Sequence, residues 1–363
     1  MTMSKFPVLL SAVLAFGFAR VPSAQEGETD SLYMKDGSAE VGKVVEEGYT
    51  GVEFQPEKGA KKLVAWPTIT SIDYFDTPEE LTGAQAAVTG GSYDAAREQL
   101  QAVLAIEGLR PMHVQEAEYL LAYAQQRIGD VDAAIAGYDR LAKDFAKGRY
   151  LRSVGENLIG LHLLKGDAAG AQAALDKLTQ GSKGTAGVEP MLGLLEGRLL
   201  EGQGKMAEAR ERYGAVETMA GIEPAMAQEA RLGKARTLLH DSKGAEAEPI
   251  FRALIGESQD PRVQSGAWNG LGEIQATEGR AKKDGDRIQD ALYAYLRTVV
   301  QYKPLPGEST EEYERALAGA GNCFKLLSEI EQNTEKKKLL RDRERERTEQ
   351  LQREYPNSPF LKK

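Results

Sequence analysis

The chain has 363 residues, of which 41% are hydrophobic and 28% charged, a composition typical of a soluble globular protein with two domains or a repeat array. Its formal net charge of −9 disfavours binding to nucleic acid or to anionic lipid, because both need clustered Lys and Arg. The single cysteine, Cys323, excludes an internal disulfide and a Cys-based zinc cage, and three scattered histidines leave little material for another metal site. No metal or cofactor is therefore predicted.

The N-terminus is typical of an export signal. Lys5 precedes an apolar run, Phe6–Ala19, and the small residues that follow allow cleavage after Ser23 or Ala24. The run is shorter than the roughly 20 residues that a membrane-spanning helix needs, and no cysteine follows it that could carry a lipid anchor. We therefore predict a signal peptide at residues 1–24 and a periplasmic or secreted product without a transmembrane segment. An uncleaved anchor is the alternative.

Residues 30–76 contain short β-prone runs separated by turn signals. Asp36-Gly37 is a strong hairpin signal between two such runs. Further strands are predicted around Val52 and Phe54, at Leu63–Trp66 and near Ile72–Tyr74. Four or five strands over so short a segment predict a curled sheet or small barrel, similar to SH3-like or Sm-like barrels in strand count and turn position. Nine acidic residues against five lysines disfavour RNA binding by this unit. Trp66 is predicted to close its core, with a peptide-stacking platform as the alternative.

From Thr77 onward a helical pattern recurs with a period of 38, 37, 38, 38 and then 44 residues. Each repeat has an alanine, a bulky residue four positions later, and a second bulky residue three or four positions after that. The three sets are Ala96, Ala134, Ala171, Ala209, Ala247 and Ala291; Leu100, Tyr138, Leu175, Tyr213, Phe251 and Tyr295; and Val103, Leu141, Leu178, Val216, Leu254 and Val299. This spacing is one face of an α-helix, and the small residue allows a neighbouring helix to approach closely. A glycine five residues before the first four alanines predicts a left-handed helix end, and Asp130, Asp167 and Asp286 are predicted N-caps.

These residues resemble tetratricopeptide (TPR) repeats. The stretch WNGLGEIQ, Trp268–Gln275, has the W-x2-L-G start of that motif, and Ala291 and Tyr295 supply its second-helix positions after an extra loop, Gly279–Asp286. The resemblance implies six clear helix pairs and a degenerate seventh. The long period and the ending EYPNSP are similar to those of envelope TPR proteins of Gram-negative bacteria.

The predicted fold class is therefore mainly α. A small all-β domain at residues 30–76 precedes an α-solenoid of about seven TPR-like helix pairs at residues 77–355, and residues 356–363 form a C-terminal tail.

The sequence contains few motifs that indicate catalysis or ligand binding. GSKGTAG, Gly181–Gly187, superficially resembles a phosphate-binding loop, but Lys183 is misplaced and the flanks are helical, so a loop between repeats is predicted. His162 is predicted to be partly buried, and Cys323 to be a small core residue. The mixed-charge run Glu335–Tyr355 predicts a solvated terminal helix, with a docking helix for an acidic partner as the alternative.

The TPR resemblance implies a concave surface, lined by the first helix of each pair, that holds a peptide or a helix of another protein. In that surface the tyrosines are expected to supply apolar contact and the polar residues to bond the partner's backbone or charges. The motif's groove positions nominate eight protein-binding residues: Tyr119, Tyr123, Gln126, Arg198, Glu201, Arg236, Asn269 and Glu273.

The predicted function is that of an exported, non-enzymatic scaffold or adaptor for a protein partner of unknown identity, in envelope assembly or maintenance. One alternative is a structural envelope protein that uses its convex face or its β domain while the groove is inert. The other is an enzyme with an unrecognised site.

Overall fold

The computed structural model describes residues 28–305 and 307–362; the signal peptide predicted at residues 1–24 lies outside them. Five strands come first: β1 Asp30–Met34, β2 Ala39–Glu47, β3 Gly51–Pro56, β4 Lys62–Ala65 and β5 Ile69–Asp73. Fourteen helices follow within the described ranges: α1 Glu79–Thr89, α2 Tyr93–Leu104, α3 Pro111–Ile128, α4 Val131–Asp144, α5 Leu151–Leu164, α6 Ala168–Gly181, α7 Val188–Gly202, α8 Met206–Glu217, α9 Pro224–His240, α10 Gly244–Glu257, α11 Pro261–Lys282, α12 Gly285–Gln301, α13 Glu311–Ile330 and α14 Thr334–Glu354. None of these helices is long and apolar enough to cross a membrane.

The strands form one antiparallel sheet in the order β4-β3-β2-β1-β5, which leaves β4 and β5 at its ends. The β1–β2 hairpin turns at Gly37, whose φ of 87° is accessible to glycine without strain. Leu32, Val44 and Phe54 are at most 1% exposed and form the centre of the small core. A 3-10 turn at Trp66–Thr68 separates β4 from β5, so β4 ends one residue earlier than predicted, before the residue preceding a proline.

The helices form seven consecutive pairs, and the alanine at the predicted close-contact position is fully buried in all six pairs that carry it. The pattern is thus confirmed as the buried face of the second helix in these six pairs, except at Val299. Gly91, Gly129, Gly166 and Gly204 all have φ between 72° and 93°, as a left-handed turn between paired helices requires. The side chains of Asp130 and Asp167 accept hydrogen bonds from the backbone N–H groups three residues on and cap α4 and α6.

The sixth pair corrects three sequence expectations. The expected extra loop at Gly279–Asp286 is mostly helical, because α11 continues to Lys282 through residues that favour helix. The N-cap of α12 is Asp284 instead of Asp286, and its carboxylate accepts from Arg287 N at 3.1 Å. The third core position is Thr298, fully buried one turn after Tyr295, whereas Val299 is only half-buried.

The seventh pair ends the solenoid. Cys323 of α13 is fully buried, and burial raises the pKa of its thiol to about 12, which keeps it protonated and confirms it as a core residue. On α14 the buried residue is Leu351, near the C-terminal end, and most other side chains are exposed. This distribution agrees with the solvated terminal helix predicted from the charged run.

The superhelix curves so far that the C-terminal part of the chain contacts α3, the first helix of the second pair. The hydroxyl of Tyr119 on α3 donates to the backbone oxygen of Gly307, which precedes α13. The guanidinium of Arg127, at the end of α3, donates to Glu354 O at 2.7 Å and lies over the Tyr355 ring, 4.4 Å from its centroid. These contacts join segments about 190 to 230 residues apart in sequence and close the superhelix on itself.

Arg110 fixes the β unit to α3. Its guanidinium donates to both oxygens of the Asp30 carboxylate at 2.8–2.9 Å, to Asp76 Oδ1 at 2.9 Å and to Val44 O at 2.8 Å. Asp30 is fully buried and also accepts from Val44 N at 2.7 Å. A single side chain thus holds β1, β2 and the segment after β5 against the first turn of α3.

Candidate functional site

The first helices of the second to sixth pairs, α3, α5, α7, α9 and α11, line a cavity of about 570 Å³, which we call the lumen. The C-terminal segment Tyr355–Phe360 and the N-terminal turn of α13 complete the lining of the lumen. The lumen therefore exists only because the superhelix closes. An open arc of the same repeats would leave these faces far apart.

Seven charged side chains link α5, α7, α9 and α13 through ion pairs and form what we call the axial belt. Its members are Arg152, Glu156, Arg198, Glu229, Arg236, Glu311 and Glu312. On α5, the Nε of Arg152 bonds Glu156 at 3.0 Å, and the same guanidinium pairs with Glu229 of α9. Arg198 of α7 pairs with Glu311. Arg236 of α9 pairs with Glu312 at 3.3 Å. The first turn of α13 thus supplies carboxylates to two helices that lie two and three pairs earlier in the chain.

Two carboxylates of the axial belt, Glu229 and Glu311, are ionised at neutral pH. Burial alone would raise the pKa of Glu229, but the guanidinium groups of Arg152 and Arg262 outweigh it and hold the pKa below its ordinary value. Glu311 follows the same pattern, with Arg198 as the largest opposing influence. The arginines are therefore neutralised within the chain.

The nominated tyrosines do not face the lumen. Tyr119 and Tyr123 are 2% and 3% exposed, in the core of the second pair. The Tyr119 ring stacks on Tyr150 with centroids 4.2 Å apart, and the Tyr123 hydroxyl accepts from Arg127 at 2.8 Å. The expectation that these rings supply apolar contact in an open groove is corrected. Because the superhelix closes at this pair, they are packed as core residues.

The expectation that Asn269 binds a partner is also corrected, because its side chain is buried. Asn269 is fully buried on α11, and its amide nitrogen donates to both the backbone and the side chain of Glu312 at 2.8 Å. Its amide nitrogen is therefore used by the start of α13, and the side chain is buried away from a partner.

The other five nominated residues line the lumen together. Gln126 is half-buried and its side-chain oxygen accepts from the Tyr138 hydroxyl at 3.0 Å. Arg198 and Arg236 belong to the axial belt, and Glu201 lies 3.5 Å from Arg236. Glu273 is exposed, and no cation among the described residues lies within ion-pair distance of it. Of the five, Glu273 therefore has the polar group that is most available to a partner.

The lumen also has an apolar wall that the sequence did not reveal. Gly160 and Leu164 lie one turn apart on α5, and both are exposed; Leu163 and Leu239 are half-buried beside them. A Cβ atom at Gly160 would have no heavy atom within 4 Å, so no packing contact requires a glycine there. Glycine inside a helix costs about 0.5–1 kcal/mol relative to alanine. Its effect at this position is to keep the wall of the lumen open.

A second cavity of about 1060 Å³, which we call the β5 cleft, lies on the other side of the axial belt. Residues 69–72 of β5 form one wall, and Glu116 of α3 and Ser153 of α5 lie opposite. Arg198, Arg236, Glu311 and Glu312 line both cavities, so the axial belt separates them. Trp66 borders the cleft, with its ring under the guanidinium of Arg149 at 4.6 Å and its Nε1 donating to Gly48 O at 2.8 Å. It packs partly buried against the β core, as predicted.

Within residues 28–305 and 307–362, no group of three or more His, Cys, Asp or Glu side chains is arranged to hold a metal ion. His162, predicted to be partly buried, contacts the capping carboxylate of Asp167, with Nδ1 2.9 Å from Oδ2. The GSKGTAG stretch joins α6 to α7, as the loop interpretation predicted.

The chain is similar to several solved structures, although it matches no family model. No curated protein matches it significantly either. Among solved structures, a tetratricopeptide repeat protein from Parabacteroides merdae is 18% identical with a TM-score of 0.41, over 74% of this chain and 98% of that one. PilW, a type IV pilus biogenesis factor, is 17% identical with a TM-score of 0.38, over 69% of this chain and 97% of that one. BtubC from P. vanneervenii is 16% identical with a TM-score of 0.37, over 62% of this chain and 91% of that one. At these values the likeness carries no argument about function.

Proposed function

We propose that this protein is an exported, non-enzymatic scaffold that binds a segment of a partner protein in the lumen. The observation that carries the proposal is the exposed apolar wall at Gly160 and Leu164, which faces a cavity of about 570 Å³. Exposed apolar surface within a concavity is typical of interaction sites.

The axial belt determines what kind of contact the lumen offers. Arg198 and Arg236 are already paired with glutamates, so recruiting them for a partner would break ion pairs that are partly buried. Affinity would therefore come from apolar contact with α5 and α9, while Glu273 favours a positively charged or hydrogen-bond-donating neighbour on the partner. A protein segment with an apolar side chain beside a basic one fits this arrangement.

Export rests on the sequence of residues 1–24, and the role in envelope assembly or maintenance rests on the TPR resemblance. Intact mass of the protein purified from its native host tests export: loss of about 24 residues is expected. A full-length mass in a cytoplasmic fraction would contradict it.

Two leucine variants test the binding site, one with its leucine in the lumen and one with its leucine outside both cavities. A pull-down with the purified protein from an envelope extract, followed by mass spectrometry, first identifies the partner. Leu164→Ala is then expected to weaken binding by about 1–3 kcal/mol, measured by calorimetry, because Leu164 lies in the lumen wall. Leu339→Ala is the matched control, since Leu339 is 55% exposed on α14 and lies outside both cavities. Equal affinities for the two variants would reject the lumen as the site.

The β unit contributes its end strand β5 to the wall of the β5 cleft. A scaffold that acts through its β unit is therefore the second candidate. The β5 cleft is the observation that favours it.

A further inference from the structure

The edge strand β5 presents its free edge to a cavity. In the sheet, β5 pairs with β1 on one side and has no strand on its other side among the described residues. The successive residues Ile69, Thr70, Ser71 and Ile72 all line the β5 cleft. Side chains of successive strand residues point to opposite faces, so a cavity lined by four in a row meets the strand along its edge. Such an edge carries N–H and C=O groups available for pairing.

We propose that the β5 cleft is a second binding site, separate from the lumen, in which an extended segment of a partner protein adds to the sheet next to β5. The chemistry that recognises it is the hydrogen-bonding pattern of an extended backbone, with pockets for alternate side chains. A segment matching the five residues of β5 is about 17 Å long. The cleft volume of about 1060 Å³ is at the upper end of ligand cavities, as a peptide requires.

The charges opposite the strand favour a basic segment. Glu116 of α3 lines the cleft together with β5; its Oε1 accepts from the Gln85 amide at 2.8 Å, and no cation of the described residues lies within ion-pair distance of its carboxylate. Glu308 also lines the cleft, and its carboxylate accepts a backbone N–H at 2.8 Å. The cleft residues Arg149, Arg198 and Arg236 are each paired with glutamates or aromatic rings of the chain itself. Arg262 pairs with Asp260 at 3.4 Å, whereas Lys303 of the cleft lining has no ion pair among the described residues. Two carboxylates of the lining, Glu116 and Glu308, are likewise without a cation, so the uncompensated charge of the cleft is negative.

Thr70 allows the backbone interaction to be tested with little damage to the sheet. In the β1–β5 ladder, Tyr33 lies opposite Ser71 and Met34 opposite Ile69, so Thr70 is the extra residue of a bulge with no residue opposite it. A proline at Thr70 removes an N–H donor from β5 without removing a matched residue of the ladder.

The probe is an end-capped octapeptide of alternating valine and lysine, added to the full chain. Hydrogen exchange resolved to single peptides is expected to slow about tenfold at residues 69–73, because pairing protects edge amides. The same peptide with glutamate in place of lysine is the charge control and should give no such protection. Protection absent from residues 69–73, or equal with the two peptides, would overturn the proposal.

Two variants with a matched control separate the site from general charge attraction. Thr70→Pro should abolish the protection. Glu116→Gln should weaken peptide binding about threefold, measured by fluorescence anisotropy. Glu98→Gln makes the same charge change at an exposed position of α2 outside the cleft and should leave binding unchanged. If Glu98→Gln weakens binding as much as Glu116→Gln, the proposal fails. Leu164→Ala should not change binding of this peptide, so failure of the lumen site and failure of the β5 cleft are distinguishable.

Discussion

Replacement of Arg110 by methionine is expected to detach the β unit from the helices. Arg110 provides the cation for Asp30, which is fully buried. Without the guanidinium, the carboxylate keeps its hydrogen bonds from Val44 N and Phe75 N but loses both charged bonds, at 2.8 and 2.9 Å. Removing one partner of a buried ion pair costs about 3–5 kcal/mol. That is a large part of the roughly 5–15 kcal/mol by which domains are stable.

The assay uses the two tryptophans of the chain. Trp66 lies in the β unit and Trp268 on α11, so in a Trp268→Phe background urea unfolding followed by fluorescence reports the β unit. In that background, Arg110→Met should lower the unfolding free energy by about 3–5 kcal/mol. Asp30→Asn in addition should recover part of the loss, because a neutral amide replaces the uncompensated charge.

The control is Arg97→Met, because Arg97 pairs at 3.2 Å with an aspartate that is 76% exposed. Such a surface pair contributes at most about 1 kcal/mol. If Arg110→Met costs no more than Arg97→Met, the reasoning that Arg110 anchors the β unit is refuted.

Further predictions concern the solenoid. Ala171→Trp should lower stability by at least about 1–3 kcal/mol in chemical denaturation, because the alanine is fully buried, whereas Lys183→Ala in the exposed α6–α7 loop should change it by less than about 0.5 kcal/mol. Gly160→Ala should raise the unfolding free energy by about 0.5–1 kcal/mol, since its Cβ meets open space, and Gly155→Ala should lower it, since its Cβ would lie 2.5 Å from a leucine methyl. The pKa of Glu229 is lower in the folded chain than its ordinary value of 4.5, so the ionised carboxylate stabilises the fold above pH 4.5, and this stabilisation is lost as pH falls through the folded-state pKa. Glu229→Gln should therefore make stability less dependent on pH in the acid range. An unchanged pH dependence in the acid range, or equal effects of the two glycine variants, would contradict these expectations.

The repeat architecture was predictable because its determinants are local. Ala134, Tyr138 and Leu141 share a helix face by spacing alone, and each is at most 1% exposed. Gly129 at a left-handed turn and Asp130 at an N-cap act within one turn of chain. The Asp36-Gly37 hairpin is local in the same sense. Export is predicted from residues 1–24, which lie outside the described residues.

The candidate site was only partly predictable, because its composition depends on the curvature of the superhelix. Each pair is rotated slightly from the last, and these rotations add over the whole array. Their sum brings α13 to α7 and α9, so Glu311 and Glu312 pair with Arg198 and Arg236. The sequence shows the two glutamates only as acidic residues at a helix start, where the dipole favours them anyway.

The sequence by itself determined which faces of the helices are buried, where the pairs turn, and that a small β unit precedes them. The tertiary structure alone decided that Tyr119 is a core residue, that Gly160 borders an open lumen, and that β5 presents an edge to a cleft. The physical reason is the separation in sequence over which each determinant acts. Helix faces, turns and caps follow from contacts within a few residues, whereas closure of the superhelix depends on angles accumulated over seven pairs, which no single segment specifies.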